Sequence, residues 1–326
     1  MSLGGAEMLR SILIYLSKAN WMKRMVMGWG VARKVALRFV AGEKLEDAIR
    51  VVGNLNEKGM NATLDQLGED TNTPDEARQT GEEILRILDA IHESGVRASL
   101  SLKLTQIGLA LDENLCGEIL ADILDHARVQ GNFVRIDMED SDCVDATIRV
   151  YKKVRDLGFR NVGMVMQSYL YRAEEDTKAL LEMETPIRLV KGAYKEPAEI
   201  AFPKKSDVDE NYDHLMTLLL DASSDGNAPA ISDDGKWPPI PAAGTHDADR
   251  VIFVKKYADE IELPKEKLEF QMLYGIRREL QEELVKEGYP VRIYVPYGTQ
   301  WYPYFMRRLA ERPANLWFFV SSLIRR

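Results

Sequence analysis

From about residue 61 onward, short apolar runs rich in β-branched residues alternate with longer amphipathic stretches of helical period. Eight runs predict strands, namely Asn61–Leu67, Arg97–Leu104, Phe133–Met138, Asn161–Met166, Pro186–Val190, Pro239–Ala243, Leu268–Leu273 and Val291–Val295. Helical patterns fill the gaps between them, as in Asp75–Glu93, Leu115–Gln130, Asp145–Leu157 and Arg172–Leu181. Eight strands alternating with helices predict an α/β fold of the (βα)8 TIM-barrel type. An open doubly wound sheet is less favoured, because no GxGxxG follows the first strand.

The remaining segments predict helical extensions at both ends of this barrel. We expect an N-terminal helical arm (1–60), a catalytic barrel (61–312) and a C-terminal helix packed on the barrel (313–326). Between Arg10 and Arg38 every charged residue is basic, with tryptophan and methionine interleaved. This pattern fits a helix on an anionic membrane surface and fits an arm covering the protein body equally well. The polar stretch Ala222–Gly235 predicts a surface loop before the sixth strand.

Composition excludes several classes of function. The formal net charge of -9 and the lack of a long basic run argue against a nucleic-acid binder. The two cysteines form no CxxC pair and the four histidines are scattered, so we predict no metal site and a reducing compartment. No apolar run is long enough to span a bilayer and no signal peptide is evident. We therefore predict a cytoplasmic protein and leave open a peripheral attachment to the inner face of the membrane.

Polar side chains recur at the carboxyl ends of the predicted strands, where barrel enzymes carry their chemistry. They include Lys103, Asp137, Gln167, Arg188, Lys191, His246 and, beyond Tyr294, the pair Arg307 and Arg308. Charged groups within apolar strands are costly unless they are paired or liganded, so their shared end predicts a site. The set holds many cations and hydrogen-bonding groups but no Ser-His-Asp arrangement. It favours a phosphorylated cofactor together with a carboxylate substrate.

Six motifs in order resemble the proline dehydrogenase family, in its monofunctional bacterial type, over roughly residues 60–312. They are Arg135–Glu139, Arg188–Tyr194, Gly244–His246, Phe270–Gly275, Tyr294–Gly298 and the pair Arg307–Arg308. The resemblance implies a distorted (βα)8 barrel that holds FAD without a Rossmann motif. It implies oxidation of L-proline to Δ1-pyrroline-5-carboxylate, the first step of proline catabolism. A hydride would pass from C5 to flavin N5, and the electrons would go on to a membrane quinone.

The same resemblance implies roles for individual residues around the substrate. Arg307 and Arg308 would clamp the carboxylate with help from Lys103, and Tyr294 would pack on the proline ring. Asp137 and Arg188 would be catalytic, with Asp137 orienting cations such as Lys103 and Arg188 lying near flavin N5. Glu69 would be a gate residue that pairs with Arg307 and closes the site.

The resemblance also implies a set of FAD contacts. Gly192 would let the backbone approach the cofactor closely. For His246 the position at a strand end allows a general base as well as the cofactor contact that the resemblance implies. The implied contacts are Met138, Gln167, Arg188, Lys191, Gly192, Ala193, Thr245 and His246.

Two other functions remain open from the residues alone. Lys191 or Lys103 could form a Schiff base with a carbonyl substrate, as in an aldolase-type barrel enzyme. The basic N-terminal helices could instead be the working part of a non-catalytic membrane-surface protein. If the chain oxidises proline, its product needs a separate pyrroline-5-carboxylate/glutamate-semialdehyde dehydrogenase, because we find no second domain for that step.

Overall fold

The eight strands pair in chain order and close into a parallel barrel, because β8 also pairs with β1. The structure is a computed structural model that describes residues 36–311 except 69, 195 and 225–227. The predicted (βα)8 barrel is therefore confirmed. The strands are β1 (Asn61–Gln66), β2 (Ala98–Lys103), β3 (Val134–Asp137), β4 (Val162–Gln167), β5 (Ile187–Val190), β6 (Pro241–Gly244), β7 (Glu269–Leu273) and β8 (Val291–Tyr297).

Three of the described helices, α2, α3 and α7, begin at a residue whose side chain caps the helix. Thr73 accepts a hydrogen bond from the amide of Glu76 at the start of α2, which ends at Gly95 with a φ of 66°. The helices are α1 (Leu45–Glu57), α2 (Pro74–Ser94), α3 (Glu113–Val129), α4 (Val144–Asp156), α5 (Ala173–Leu181), α6 (Lys205–Ser224), α7 (Ala248–Glu260), α8 (Arg278–Lys286) and α9 (Trp301–Glu311). The four helices predicted between strands are confirmed to within two residues.

The helix that follows β8 does not complete the outer ring of helices. Instead α1 contacts both β1 and β8 and occupies the wall between them. The apolar side chains of α9 pack on the segment 36–41, with the Phe39 and Phe305 rings 6.3 Å apart. A Cβ at Gly275 would lie 1.8 Å from the Arg38 carbonyl oxygen, so the β7–α8 turn also closes against this segment. These contacts place α9 across the carboxyl ends of the strands.

The amino end of the barrel is closed by part of the stretch Ala222–Gly235, which is predicted from sequence to be a surface loop. Ala222 belongs to α6, and Gly235 is buried with its carbonyl oxygen 2.7 Å from Arg292 Nη2. A Cβ at Gly235 would lie 2.3 Å from the Asn61 side chain. The predicted surface loop is therefore wrong at both of its ends. Its composition is polar because it turns tightly, not because it is fully exposed.

Parts of the other predicted segments lie outside the described residues. Of the predicted arm, residues 1–35 are not described, and neither is the predicted C-terminal helix, 313–326. In the part of the chain that the structure describes, no helix is long and apolar enough to cross a membrane.

The buried pair of Arg292 and Glu269 at the amino end yields a stability prediction. Arg292 Nε lies 2.9 Å from Glu269 Oε2, and both side chains are almost fully buried. Arg292→Met would leave Glu269 charged and unpaired, so we expect a loss of about 3–5 kcal/mol in the free energy of unfolding, measured in urea. The matched control is Arg149→Met, which removes an exposed partner of Glu113. Equal losses in the two variants would contradict the prediction.

Candidate active site

A cavity of about 730 Å³ opens at the carboxyl ends of the strands, beneath α9. All the described side chains that the sequence singled out for the site line it. They are Lys103, Asp137, Met138, Gln167, Arg188, Lys191, Gly192, Ala193, Thr245, His246, Tyr294, Arg307 and Arg308. Glu69, the predicted gate, lies outside the described residues. Parallel strands bring residues from distant sequence segments to one end of the barrel, and α9 adds the two arginines from above.

Asp137 is the anionic centre of the cavity floor. Arg188 Nη2 forms an ion pair with Asp137 Oδ1, and Ser101 Oγ donates to the same oxygen at 2.5 Å. Tyr294 Oη donates to Asp137 Oδ2 at 2.8 Å. Burial alone would raise the pKa of Asp137, but the charges of Arg188 and Lys103 and these hydrogen bonds outweigh it and lower the pKa. Asp137 is therefore a fixed negative charge.

Lys103 lies between two carboxylates. Its Nζ atom is 3.2 and 3.3 Å from the two oxygens of Asp65 and 3.8 Å from Asp137 Oδ2. Burial lowers the pKa of Lys103, but Asp65 and Asp137 outweigh burial and raise it. Burial raises the pKa of Asp65, and the charge of Asp137 adds to that effect against the attraction of Lys103. Lys103 is therefore held as an ammonium ion.

The two arginines of α9 lie above this floor. Both Arg307 and Arg308 line the cavity, and Arg308 is buried with its guanidinium carbon 5.1 Å from the Tyr304 ring centroid. Tyr194 lines the same space, and burial, reinforced by Glu139, raises its pKa to about 12. A guanidinium pair over an aromatic surface suits a carboxylate attached to a small apolar body.

Gln167 offers an acceptor to a ligand with an N–H group. Its Nε2 donates to the carbonyl oxygens of Met138 and Glu139 at 3.3 and 3.2 Å, which fixes the orientation of the amide. Its Oε1 is buried and has no hydrogen-bond partner among the described residues. A buried acceptor without a partner is costly, so a ligand that donates here would be stabilised. The donor edge of a flavin ring fits this requirement.

Two cofactor-side residues have structural roles that the sequence did not indicate. Gly192 has a φ of 120°, and a Cβ there would lie 2.3 Å from the Tyr169 ring, so Tyr169 already requires glycine. His246 Nε2 accepts a hydrogen bond of 2.8 Å from the Leu273 amide. That bond requires an unprotonated Nε2 and leaves this nitrogen unable to act as a general base.

Several residues of the site were missed in the sequence. Asp65 and Gln271 line the cavity and contact Lys103 and Arg188, respectively. Asp209 and Asp247 are the carboxylate partners of the predicted residue Lys191, whose Nζ atom lies 2.5 Å from Asp247 Oδ2. Asp65 carried a visible signal, because it is an acidic residue within a buried strand. Because the first strand is predicted to end at Leu67, two residues farther along, Asp65 does not fall at the predicted strand end.

Fold and site together define a (βα)8 barrel whose charged side chains meet in one cavity at the carboxyl ends of the strands, where barrel enzymes carry their chemistry. In comparisons with known proteins, residues 48–320 match the family Proline dehydrogenase. Proline dehydrogenase 1 of Bacillus subtilis strain 168 is 42% identical over 98% of this chain and 100% of its own length. The proline dehydrogenase of Deinococcus radiodurans is 40% identical over 89% of this chain and 90% of its own. The chain belongs to the proline dehydrogenase family and is an oxidoreductase.

A solved structure agrees with this assignment. Proline utilization A (PutA) from Bdellovibrio bacteriovorus, inactivated by N-propargylglycine, superposes with a TM-score of 0.76 at 25% identity. The match covers 86% of this chain and 33% of the other, so this chain spans a third of that solved protein. The barrel is the part that the two share.

The ion pairs of the two lysines yield a prediction against the aldolase alternative. A Schiff-base lysine must lose its proton, but Lys103 and Lys191 each contact two carboxylates. We expect that borohydride added with a ketone such as pyruvate leaves the protein mass unchanged by mass spectrometry. A covalent adduct that maps to Lys103 or Lys191 would contradict this reading.

Proposed function

We propose that this enzyme binds FAD in the cavity and oxidises L-proline to Δ1-pyrroline-5-carboxylate. The observation that carries the proposal is one cavity with two kinds of wall. Arg307 and Arg308 enter from α9, and Arg188, anchored on Asp137, lies on the strands below. The wall that carries Arg307 and Arg308 suits a substrate carboxylate. The wall that carries Arg188 suits a cofactor that gains negative charge on reduction.

On the substrate side, the arginine pair would fix the proline carboxylate. Lys103 would assist as a third cation, although Asp65 and Asp137 already share its charge. Tyr294 would hold the ring, since its hydroxyl is tied to Asp137 at 2.8 Å and its ring is thereby oriented. These contacts would direct C5, one of the two ring carbons farthest from the carboxylate, away from the arginines.

On the cofactor side, FAD would supply the two-electron acceptor that none of the described side chains lining the cavity provides. Gln167 Oε1 would accept a hydrogen bond from the ring edge, which answers its lack of a partner among the described residues. Arg188 would lie against the ring and stabilise negative charge there. Met138, Lys191, Gly192, Ala193, Thr245 and His246 would complete the cofactor site.

The substrate amine must be neutral before a hydride can leave C5. Asp137 stays ionised and Lys103 stays protonated, so neither is suited to exchange a proton near neutral pH. The side chains would therefore orient the amine, and the amine would lose its proton to solvent before the hydride step. We propose Glu69 as the gate that pairs with Arg307 over bound substrate.

Beyond the site, we propose that a membrane quinone takes the electrons. This fits a peripheral attachment of the protein to the inner face of the membrane. The product would pass to a separate pyrroline-5-carboxylate/glutamate-semialdehyde dehydrogenase.

The flavin spectrum gives the direct test of the proposal. We expect the purified protein, loaded with FAD, to lose its visible flavin absorption when L-proline is added without oxygen. D-proline is the control and should leave the absorption unchanged, because the arginine pair and the contacts to the ring position only one enantiomer for reaction. A flavin spectrum that L-proline leaves unchanged would overturn the proposed substrate.

The arginine pair predicts a separation of binding from chemistry. Arg307→Met and Arg308→Met each remove charge-assisted hydrogen bonds to the carboxylate, so the Kd for L-proline should rise by about 10- to 100-fold. The rate of flavin reduction at saturating proline should change much less. Arg278→Met, on α8 outside the cavity, is the matched control. A fall in the saturated rate with no change in Kd would assign the pair another role.

The pKa shifts predict a single rising pH profile. The pKa of Asp137 is lowered, those of Lys103 and Tyr294 are raised, and that of Tyr194 is raised to about 12. These four shifts point away from neutrality, whereas the pKa of Asp65, which is paired with Lys103, is raised by burial. We expect the substrate amine to dominate the titration above neutral pH. The rate of flavin reduction should rise about tenfold per pH unit and level off above the pKa of the bound amine. Stopped-flow measurement from pH 6 to 10 checks this, and a bell-shaped profile would contradict it.

A further inference from the structure

Strand β7 directs two polar side chains into the barrel, one above the other. Glu269 and Gln271 are two residues apart and so face the same side of the strand. Their side chains are buried, with 0% and 5% exposure, and Gln271 Nε2 lies 2.6 Å from Glu269 Oε2. Gln271 is at the cavity, whereas Glu269 is one layer below it.

Glu269 is held in place from the amino end of the barrel. Arg292 Nε donates to both of its oxygens, at 3.1 and 2.9 Å. The two Nη atoms of Arg292 donate to Ala62 O, Ser99 Oγ and Gly235 O at 2.9, 3.0 and 2.7 Å. The carboxylate therefore has a fixed position and a paired charge.

This arrangement determines which way the Gln271 amide points. An ionised carboxylate only accepts hydrogen bonds, so the group facing Glu269 must be the NH2 of Gln271. The carbonyl oxygen then faces the opposite way, 3.3 Å from Arg188 Nη1. A flipped amide would present NH2 to a guanidinium, which has no acceptor.

Arg188 is consequently held from two sides. Asp137 on β3 accepts a hydrogen bond from Nη2, and Gln271 on β7 accepts one from Nη1. The Tyr294 ring centroid lies 5.2 Å from the guanidinium carbon. Asp137 and Ser101 Oγ, which lies 3.5 Å from the same Nη2 atom, hold only one end of the guanidinium. The second bond fixes the plane.

We propose that Gln271 is a positioning residue for Arg188, with its amide oriented by Glu269. The inference rests on the proposed function, in which Arg188 stabilises negative charge on the reduced flavin. Gln271 would act through Arg188, and its loss would misplace the guanidinium without removing it.

The first test compares Gln271→Met with the wild-type holoenzyme. The variant keeps the side-chain volume but gives Arg188 no acceptor. We expect the rate of flavin reduction at saturating L-proline to fall by about tenfold, since small displacements of catalytic groups have effects of this order. The midpoint potential of the bound FAD should become more negative, and the Kd for proline should stay unchanged.

A matched control removes a buried hydrogen bond far from the cavity. Tyr151→Phe deletes the bond of 2.8 Å from Tyr151 Oη to Thr185 Oγ1. It should lower the thermal stability but leave the rate and the potential unchanged. If Gln271→Met likewise lowers the thermal stability but changes neither the rate of flavin reduction nor the midpoint potential, its role is structural and the inference is overturned.

Gln271→Glu supplies a signature that a structural role would not produce. When protonated, the introduced carboxyl can donate to Glu269 and accept from Arg188, as the amide does. When ionised, it repels Glu269 and draws Arg188 away from Asp137. Arg292 cannot neutralise it, because Arg292 is already paired with Glu269. The ratio of variant to wild-type rate should therefore approach one at low pH and fall as the pH rises. A ratio independent of pH would overturn the inference.

These outcomes separate the inference from the proposed function. If L-proline fails to reduce wild-type FAD, the proposed substrate is wrong, but the midpoint potentials still test the position of Arg188. If wild type is reduced and Gln271→Met matches it in rate and potential, the positioning role alone is wrong.

Discussion

The ion pair between Arg188 and Asp137 is the interaction on which the rest of the site depends. Both side chains are nearly buried, and separating such a pair in a low-dielectric interior would leave each charge uncompensated. Around it, Ser101 and Tyr294 donate to the carboxylate, and Lys103 lies on its other side. A pair of this kind adds little to stability compared with apolar packing of the same volume. Its presence in the barrel mouth is better explained by chemistry, because it provides a cation that its neighbours Asp137 and Gln271 hold in place.

The displaced α9 supplies the other half of the site. An eighth helix packed on the outside of the barrel could not bring Arg307 and Arg308 over the strands. Here α1 fills the wall between β8 and β1, and the segment 36–41 receives the apolar face of α9. The side of the cavity proposed for the substrate thus belongs to a helix, whereas the side proposed for the cofactor belongs to the strands. This division would let the clamp respond to substrate while Arg188 stays fixed.

Much of this architecture could be predicted from sequence, and the exceptions have physical reasons. The strands were evident because parallel strands are buried on both faces and read as apolar runs. Lys103, Asp137 and Arg188 stood out as charges within those runs. The displacement of α9 was not predictable, because its apolar face reads the same whether it packs outside the barrel or above it. The burial of Gly235 depends on Arg292 and Asn61, which are distant in sequence. The pairing of Gln271 with Glu269 and Arg188 depends on the barrel interior, which no local pattern describes.

In the proposed reaction, the arginine pair and the strand floor orient proline so that C5 faces the flavin. The most direct measurement is the primary kinetic isotope effect on anaerobic flavin reduction, using L-proline deuterated at C5 and, separately, at C2. We expect slower reduction with the C5 label and an unchanged rate with the C2 label, since only the C5–H bond breaks in the step. An isotope effect from C2 alone would mean that the substrate lies the other way round, and the assignment of the two walls would be wrong.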